Sequence, residues 1–304
     1  MDDRQEWLLM RKTYLGGSDI GSIISANKHK TALDVYSEKT SDSFEDESND
    51  ATYWGNVLED VVAQEYSKRV NLSVKREESL LRHPKYPFLA ANIDRWVGNR
   101  EYILECKTAG FMMNKEWGEE EFTEDIPLIY YAQVAWYSAI TGVPKVDIAV
   151  LIGGQKFKIY TYNKDVEFEG NLIKAGVDFW QNHVEKKIPP APSNLDDLKL
   201  MYPFGENNKT IKADGKLLEL AKELKTLKED SKKLDSKMDE LKFSIQSFMQ
   251  DSDTLIDENN KKIITWKTTL GRSSIDSDKL KASYPDAYTD CLKKSNSYRT
   301  FICK

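Results

Sequence analysis

Histidine and cysteine are scarce in this chain: its 304 residues hold three of each. His29, His83, His183, Cys106, Cys291 and Cys303 are scattered, with no Cys-x-x-Cys pair and no His-x-x-x-His. That argues against a zinc or iron–sulfur centre and against a disulfide framework. A metal used here would need mainly oxygen ligands, which points to magnesium or manganese. Long apolar runs are missing as well. No stretch approaches the roughly 18 to 20 apolar residues that cross a bilayer, and MDDRQEWLLMRK has no apolar signal-peptide core. A soluble, cytoplasmic protein with no membrane partner is expected.

Hydrophobic residues make up 40% of the chain and aromatics 11%, enough for a substantial core. The length allows one domain of about 200 residues plus a smaller one. The net charge of −6 is unevenly spread. Residues 206–304 hold 20 Lys+Arg against 17 Asp+Glu, which leaves 24 against 33 in the first 205. An acidic first part makes a purely electrostatic nucleic-acid binder improbable. It leaves open a nucleic-acid substrate, because carboxylates that hold divalent ions invert the local sign.

Residues 5–40 read as mostly helical, with Ser18, after Gly16-Gly17, as the N-cap of a short helix. SDSFEDESNDA at 41–51 reads as a mobile loop, and 54–70 as a helix with apolar positions at 58, 61, 62, 66 and 70. Strand-like runs follow at 72–82, 88–97 and 101–108. Pro127 in the first turn and Gly142 as C-cap bracket a helix. Val146–Ile152 and Lys156–Tyr162 form a hairpin across Gly153-Gly154, a helix covers 164–186, and the Pro-rich IPPAPSNLDD at 188–197 marks a boundary. The domains are therefore expected at 1–200 and 201–304. In the second, a helix over about 211–250 carries an unbroken apolar stripe from Leu217 to Phe248 at alternating spacings of three and four, interrupted only by Ser231. It fits a helix packed along its own chain and equally a self-associating coiled coil. A hairpin near 254–268 and a short helix near 277–283 complete the chain.

The segment YILECKTAG at 102–110 puts Glu105 and Lys107 into an otherwise apolar strand. Glu-x-Lys recurs at 185/187, 223/225 and 240/242, but on helices, where both charges are solvated. In a strand, Glu105 and Lys107 share one face while Leu104 and Cys106 face the opposite, buried side. The turn at Gly98-Asn99-Arg100 places Asp94 opposite residue 105 or residue 103, and either register brings it near Glu105. Two carboxylates that close repel unless a cation lies between them. Asp94, Glu105 and the backbone carbonyl of Cys106 can supply oxygens to a magnesium ion, with Lys107 beside the attacking water. A structural salt-bridge ladder is the alternative. Glu59, on a helical stripe with Val62, Ala63 and Tyr66, and Gln133, on a stripe with Ile129, Trp136 and Tyr137, are polar groups on apolar faces. Each alone reads as a hydrogen-bonded core residue; together with the strand pair they suggest a third carboxylate and an amide converging on one site.

The order Glu59 on a helix, Asp94 in ANID, Glu105-Cys106-Lys107, then Gln133 in YYAQVAWYSAITG resembles the PD-(D/E)xK nuclease superfamily. More narrowly, it resembles the YqaJ-type viral recombinase, lambda-exonuclease-like family of phage-type nucleases; the Pro of the superfamily's signature is absent before Asp94. The resemblance spans about residues 5–185. It implies an α/β, restriction-endonuclease-like core, a mixed central sheet flanked by helices, with a C-terminal long helix plus a small α+β appendage similar to the tail of phage-type members around KKIITWK and YRTFIC. It implies a magnesium-dependent deoxyribonuclease, manganese being the other candidate ion, that digests double-stranded DNA from 5′ ends for recombination; an endonuclease on the same fold and a non-catalytic adaptor are the rival readings. Asp94, Glu105 and Glu59 would then hold metal, and Lys107 and Gln133 position water. Arg11 and Ser18, seven residues apart, match the pair that seats a terminal 5′-phosphate; the alternative is a surface Arg and an ordinary N-cap. A single-strand annealing protein is implied as partner, and a homo-oligomer is an expected assembly.

Overall fold

The computed structural model describes residues 3–41, 49–206, 209–293 and 297–303, with side chains from residue 6 onward. The chain forms two compact units, Met1–Met201 and Tyr202–Lys304. The division falls after a helix, Leu195–Met201, that the Pro-rich run did not foretell. Most of the acidic loop expected at 41–51 lies outside the described residues.

Three helices open the first unit: α1 (Asp3–Arg11), α2 (Gly17–Ile23) and α3 (Ala32–Thr40). The fourth, α4 (Asp50–Val70), starts earlier than its apolar pattern suggested because Asn49 caps it, its Oδ1 accepting from Thr52 N at 3.0 Å. The two strand-like runs that follow α4 break into short pieces: β1 (Val74–Arg76), β2 (Leu81–Arg82), β3 (Ala90–Ala91) and β4 (Arg95–Val97). Only β5 (Tyr102–Ala109) keeps its full length. After a 3-10 turn come α5 (Leu128–Thr141), β6 (Lys145–Ile152), β7 (Lys156–Asn163), α6 (Val166–Phe179) with a π-helical extension Trp180–Val184, and α7 (Leu195–Met201). Pro127 stands at the N-cap of α5, one position outside the expected first turn, and Gly142 closes the helix at φ 80°, a left-handed geometry that glycine adopts without strain.

The central sheet runs β1-β4-β5-β6-β7, with β5 and β6 parallel and the other neighbours antiparallel. This mixed sheet flanked by helices is the core architecture expected from the sequence. Both faces are covered, so the first half of YILECKTAG, residues 102–105, is buried whichever way its side chains point, while 106–109 are half-buried. Ile103, Val146, Ile148 and Val150 pack with α2, α5 and α6 in the larger core; Leu104, Ala149 and Ile159 pack with Val62, Ala63 and Tyr66 of α4 in the smaller one. Asp147 lies in the second core without a buried cost because its oxygens are fully used: Tyr66 Oη donates at 2.5 Å and Thr161 Oγ1 at 2.8 Å. The Tyr66 bond ties α4 to β6, and the Thr161 bond joins β6 to its neighbour β7.

In the second unit, α8 (Gly215–Met249) is a 35-residue helix capped by Asp214, and it begins four residues later than the helix start expected at about 211. A hairpin of β8 (Thr254–Ile256) and β9 (Lys262–Thr265) follows, then α9 (Ser277–Ser283) and a further helix, α10 (Pro285–Asp290).

Candidate active site

Strand alternation points Glu105 and Lys107 toward α5, as expected, and the observed register pairs Arg95 with Leu104, Trp96 with Ile103 and Val97 with Tyr102. Extended by one residue, that register sets Asp94 opposite Glu105. The ladder stops short of them. The Asp94 carboxylate, through Oδ2, accepts from Cys106 N at 2.7 Å, taking the place of a backbone partner and holding the side chain against β5.

Glu105 is 3% exposed, and its two oxygens have unequal lives. Oε1 accepts from Lys107 Nζ at 2.6 Å and from Gln133 Nε2 at 2.8 Å, whereas Oε2 is buried and has no hydrogen-bond partner among the described residues. Gln133 Nε2 also donates to Tyr137 Oη at 2.7 Å, and Lys107 Nζ sits 5.2 Å from the centre of the Tyr130 ring. Burial, and then the charge of Glu105, push the Asp94 carboxyl well above its ordinary range. Burial works to lower the Lys107 ammonium, but Glu105 and Asp94 outweigh it and its pKa ends above the usual lysine value. Burial, with the same two carboxylates beside it, raises the Cys106 thiol, so sulfur stays protonated and only the backbone of Cys106 offers an oxygen.

Glu59 lies near enough for its charge to act on Asp94, but its own hydrogen-bond partners are elsewhere. It approaches from α4, on the opposite side of the sheet, and is occupied by cations: Arg95 Nη1 at 2.6 Å and Arg76 Nη2 at 3.4 Å. Among the described residues no three His, Cys, Asp or Glu side chains are gathered as a metal cage. Arg95, 3% exposed, was not singled out in the sequence, although a lone cation in an apolar strand run must find an anion when buried. It bridges Glu59 to the backbone carbonyl of Asp94, at 2.8 Å, and so ties α4 to the turn that presents Asp94.

At the N-terminus, the helix α2 is capped by Gly16 and not by Ser18, because Asp19 Oδ2 takes the Gly16 N–H at 3.0 Å. Ser18 is left in the first turn with its hydroxyl accepting from Arg11 Nη2 at 3.2 Å, so the two expected partners do meet. Beneath them lies Asp19, fully buried, with Lys39 Nζ at 2.8 Å, Arg11 Nη2 at 3.6 Å and Lys30 Nζ at 4.0 Å. Burial alone would raise the Asp19 carboxyl; Lys39, Arg11 and Lys30 together hold it below the ordinary value. Lys30 is drawn off by Glu38 at 2.7 Å, so three cations face two carboxylates, which leaves one positive charge in excess near Arg11 and Ser18.

Gly17 joins this charge cluster to the carboxylate pair. A Cβ at position 17 would lie 2.6 Å from Tyr137 Cε1 and 3.1 Å from Gln133 Cγ, both side chains of the Glu105 hydrogen-bond chain. Gly17→Ala is therefore expected to cost about 1–3 kcal/mol as overpacking in a buried contact. Thermal unfolding checks this, and an unchanged midpoint would show that the close approach is not real.

The chain matches the model of the YqaJ-like viral recombinase domain over residues 6–144. It is 36% identical to the protein YqaJ of Bacillus subtilis (strain 168), in an alignment that covers 99% of this chain and 94% of that one. Among solved structures it is similar to an alkaline exonuclease, LHK-Exo, from Laribacter hongkongensis, at 15% identity and a TM-score of 0.47 over 60% of this chain and 94% of that one. It is also similar to a phage related exonuclease from Haemophilus somnus 129PT, at 15% identity and a TM-score of 0.45, covering 60% and 98% of the two chains. The match along nearly the whole length of both this chain and the Bacillus protein makes it a member of the YqaJ-like viral recombinase family.

Proposed function

We propose that this protein is a divalent-metal-dependent deoxyribonuclease, an exonuclease that digests double-stranded DNA from 5′ ends to supply recombination. One observation carries the reading: Glu105 Oε2 is buried without a hydrogen-bond partner among the described residues, next to a second, half-buried carboxylate, Asp94, while Lys107 and Gln133 occupy the other oxygen. An orphaned anionic oxygen next to a like charge is costly, and a cation relieves both penalties at once. The donors fit magnesium or manganese, being carboxylate oxygens of Asp94 and Glu105 and the Cys106 carbonyl, all hard ligands.

The metal, when bound, would neutralise charge on the scissile phosphate and make water a better nucleophile at neutral pH. The protein's part is to set directions. Gln133 and Lys107 fix the Glu105 carboxylate from one side, so its free oxygen keeps one orientation. The Lys107 ammonium, beside the same carboxylate, stabilises the negative charge that builds on phosphorus as the water oxygen attacks and the bond to the leaving oxygen breaks. Glu59 acts through Arg95, holding the turn that carries Asp94, and is a positioning residue in this reading. Arg11 and Ser18, over the cationic cluster around Asp19, receive the terminal 5′-phosphate.

In magnesium, linear duplex with 5′-phosphates is expected to be degraded while a covalently closed circle survives; cutting of the circle would make the protein an endonuclease, and no cleavage of either would leave an adaptor. Arg11→Ala is expected to reduce the preference for 5′-phosphorylated over 5′-hydroxyl ends about tenfold or more, the worth of one charge-assisted phosphate contact. Comparing initial rates on the two end types measures it.

A further inference from the structure

The helix α8 carries its apolar stripe into solvent. Leu217, Leu220, Leu227, Leu234, Leu241 and Phe248 are each more than half exposed, and only Leu224 and Ile245 of the stripe are half-buried. At 1.5 Å per residue the helix is about 52 Å long. Burying its ten stripe positions would remove on the order of 800 Å² per helix, the size of an ordinary specific interface. The flanking charges say what covers it.

With Leu217 as heptad position a and Leu220 as d, the g positions include Glu223, Asp230 and Lys237, and the e positions Lys228, Asp235 and Lys242. In a parallel pair each g side chain meets the e side chain five residues on. Glu223 then meets Lys228, but Asp230 meets Asp235 and Lys237 meets Lys242, so repulsive contacts outnumber attractive ones two to one. In an antiparallel pair, a layers face d layers, and one alignment matches all ten stripe positions: Ser231 lies opposite Leu234 of the second copy, and Leu217 opposite its Phe248. That alignment sets Asp230 beside Lys237 of the second copy and Lys228 beside its Asp235, each occurring twice by symmetry. The remaining flanking pairs, Ala221 with Lys242 and Glu223 with Ser244, carry no like charges.

We infer that α8 is a homodimerisation helix that pairs antiparallel with α8 of a second copy of this chain, centred between Ser231 and Leu234. The apolar stripe drives association, and the flanking charges choose the orientation, because like charges in the wrong alignment penalise it more than any single exposed pair stabilises the right one. Asp230 meets Lys233 of its own helix at 2.9 Å, an exposed pair that exchanges readily for Lys237 of the second copy. The C-terminal segment, with Cys303 Sγ 3.6 Å from Ala221 O, lies on the flank of the stripe at an uncharged e position.

Sedimentation of the full chain over a range of micromolar concentrations tests this. The parent is expected to form dimers, and L227K/L234K, which places lysines on exposed stripe positions, to be monomeric with an unchanged circular dichroism spectrum. D230K and K237D should each weaken dimerisation about tenfold, as two attractive pairs become repulsive, and D230K/K237D should restore it. A monomeric parent, or association that L227K/L234K leaves intact, would overturn the assignment. Tighter dimers in D230K, which parallel pairing with Asp235 would give, would overturn the orientation. None of these outcomes bears on the nuclease reading, since α8 carries none of its residues.

Discussion

Lys107→Ala is expected to lower the magnesium-dependent rate of DNA degradation by about 10²–10³, the usual cost of removing one preorganised charge from a developing oxyanion. The reason is placement. Lys107 is the cation fixed directly on Glu105, 2.6 Å from Oε1, on the strand that also presents the Cys106 carbonyl. Its removal takes away transition-state stabilisation while leaving the carboxylates and the Arg11–Ser18 pair in place, so the loss should appear in kcat with little change in KM. Gln133 still donates to Glu105 Oε1 in the variant, which limits the structural damage. Thermal unfolding and binding of duplex DNA in calcium separate a folded, binding-competent variant from a collapsed one. A variant that binds DNA and degrades it at the parental rate would remove Lys107 from the chemistry. Lys107→Arg keeps the charge but replaces a compact ammonium by a planar fork, and should recover only part of the rate.

The legible parts of the fold were those in which local pattern and tertiary burial agree. The parallel strand β5, the hairpin of β6 and β7, and the helix α5 between a proline and a left-handed glycine were all visible as periodicity plus punctuation. The run at 88–97 was read as one strand and is not, because pairing there is interrupted by a side chain: Asp94 uses its carboxylate on the Cys106 N–H, a bond that alternation cannot reveal. The same limit applies to caps. Ser18 has the right chemistry for an N-cap, but Asp19 three residues after Gly16 is already bonded to the Gly16 N–H, and a glycine there needs no side chain to start the helix. Among the candidate site residues, Asp94, Glu105, Lys107 and Gln133 come together as strand facing and helix stripe indicated. Glu59 was placed on the correct helix face, yet which neighbour takes a carboxylate depends on the layer across the sheet, and there Arg95 takes it. Tyr137 and Gly17, which connect the cluster around Arg11, Ser18 and Asp19 to Glu105, leave no trace in sequence beyond an aromatic in an apolar stripe and a glycine pair.

Asp94→Asn is expected to invert its stability ranking with metal. In the metal-free protein the Asp94 carboxyl, pushed up by burial and then by Glu105, opposes folding when ionised. An amide of the same shape removes that charge and can still accept from Cys106 N–H, so the variant should be more stable than the parent in chelator. The sign with pH follows. A carboxyl whose folded pKa lies above its unfolded one loses stability as pH rises through the folded value, so the variant's advantage should be absent in acid and grow toward neutrality. Magnesium reverses the order. An ion bound at a hundred times its dissociation constant adds about 2.7 kcal/mol to the parent, and the variant, with one carboxylate gone, should gain little of it and lose nuclease activity. Unfolding midpoints of both proteins, with chelator and with magnesium across a pH series, would display the crossing. Parallel curves, with the variant equally stabilised by magnesium, would mean that Asp94 is not a metal ligand and that the pair on β5 is a structural ladder after all.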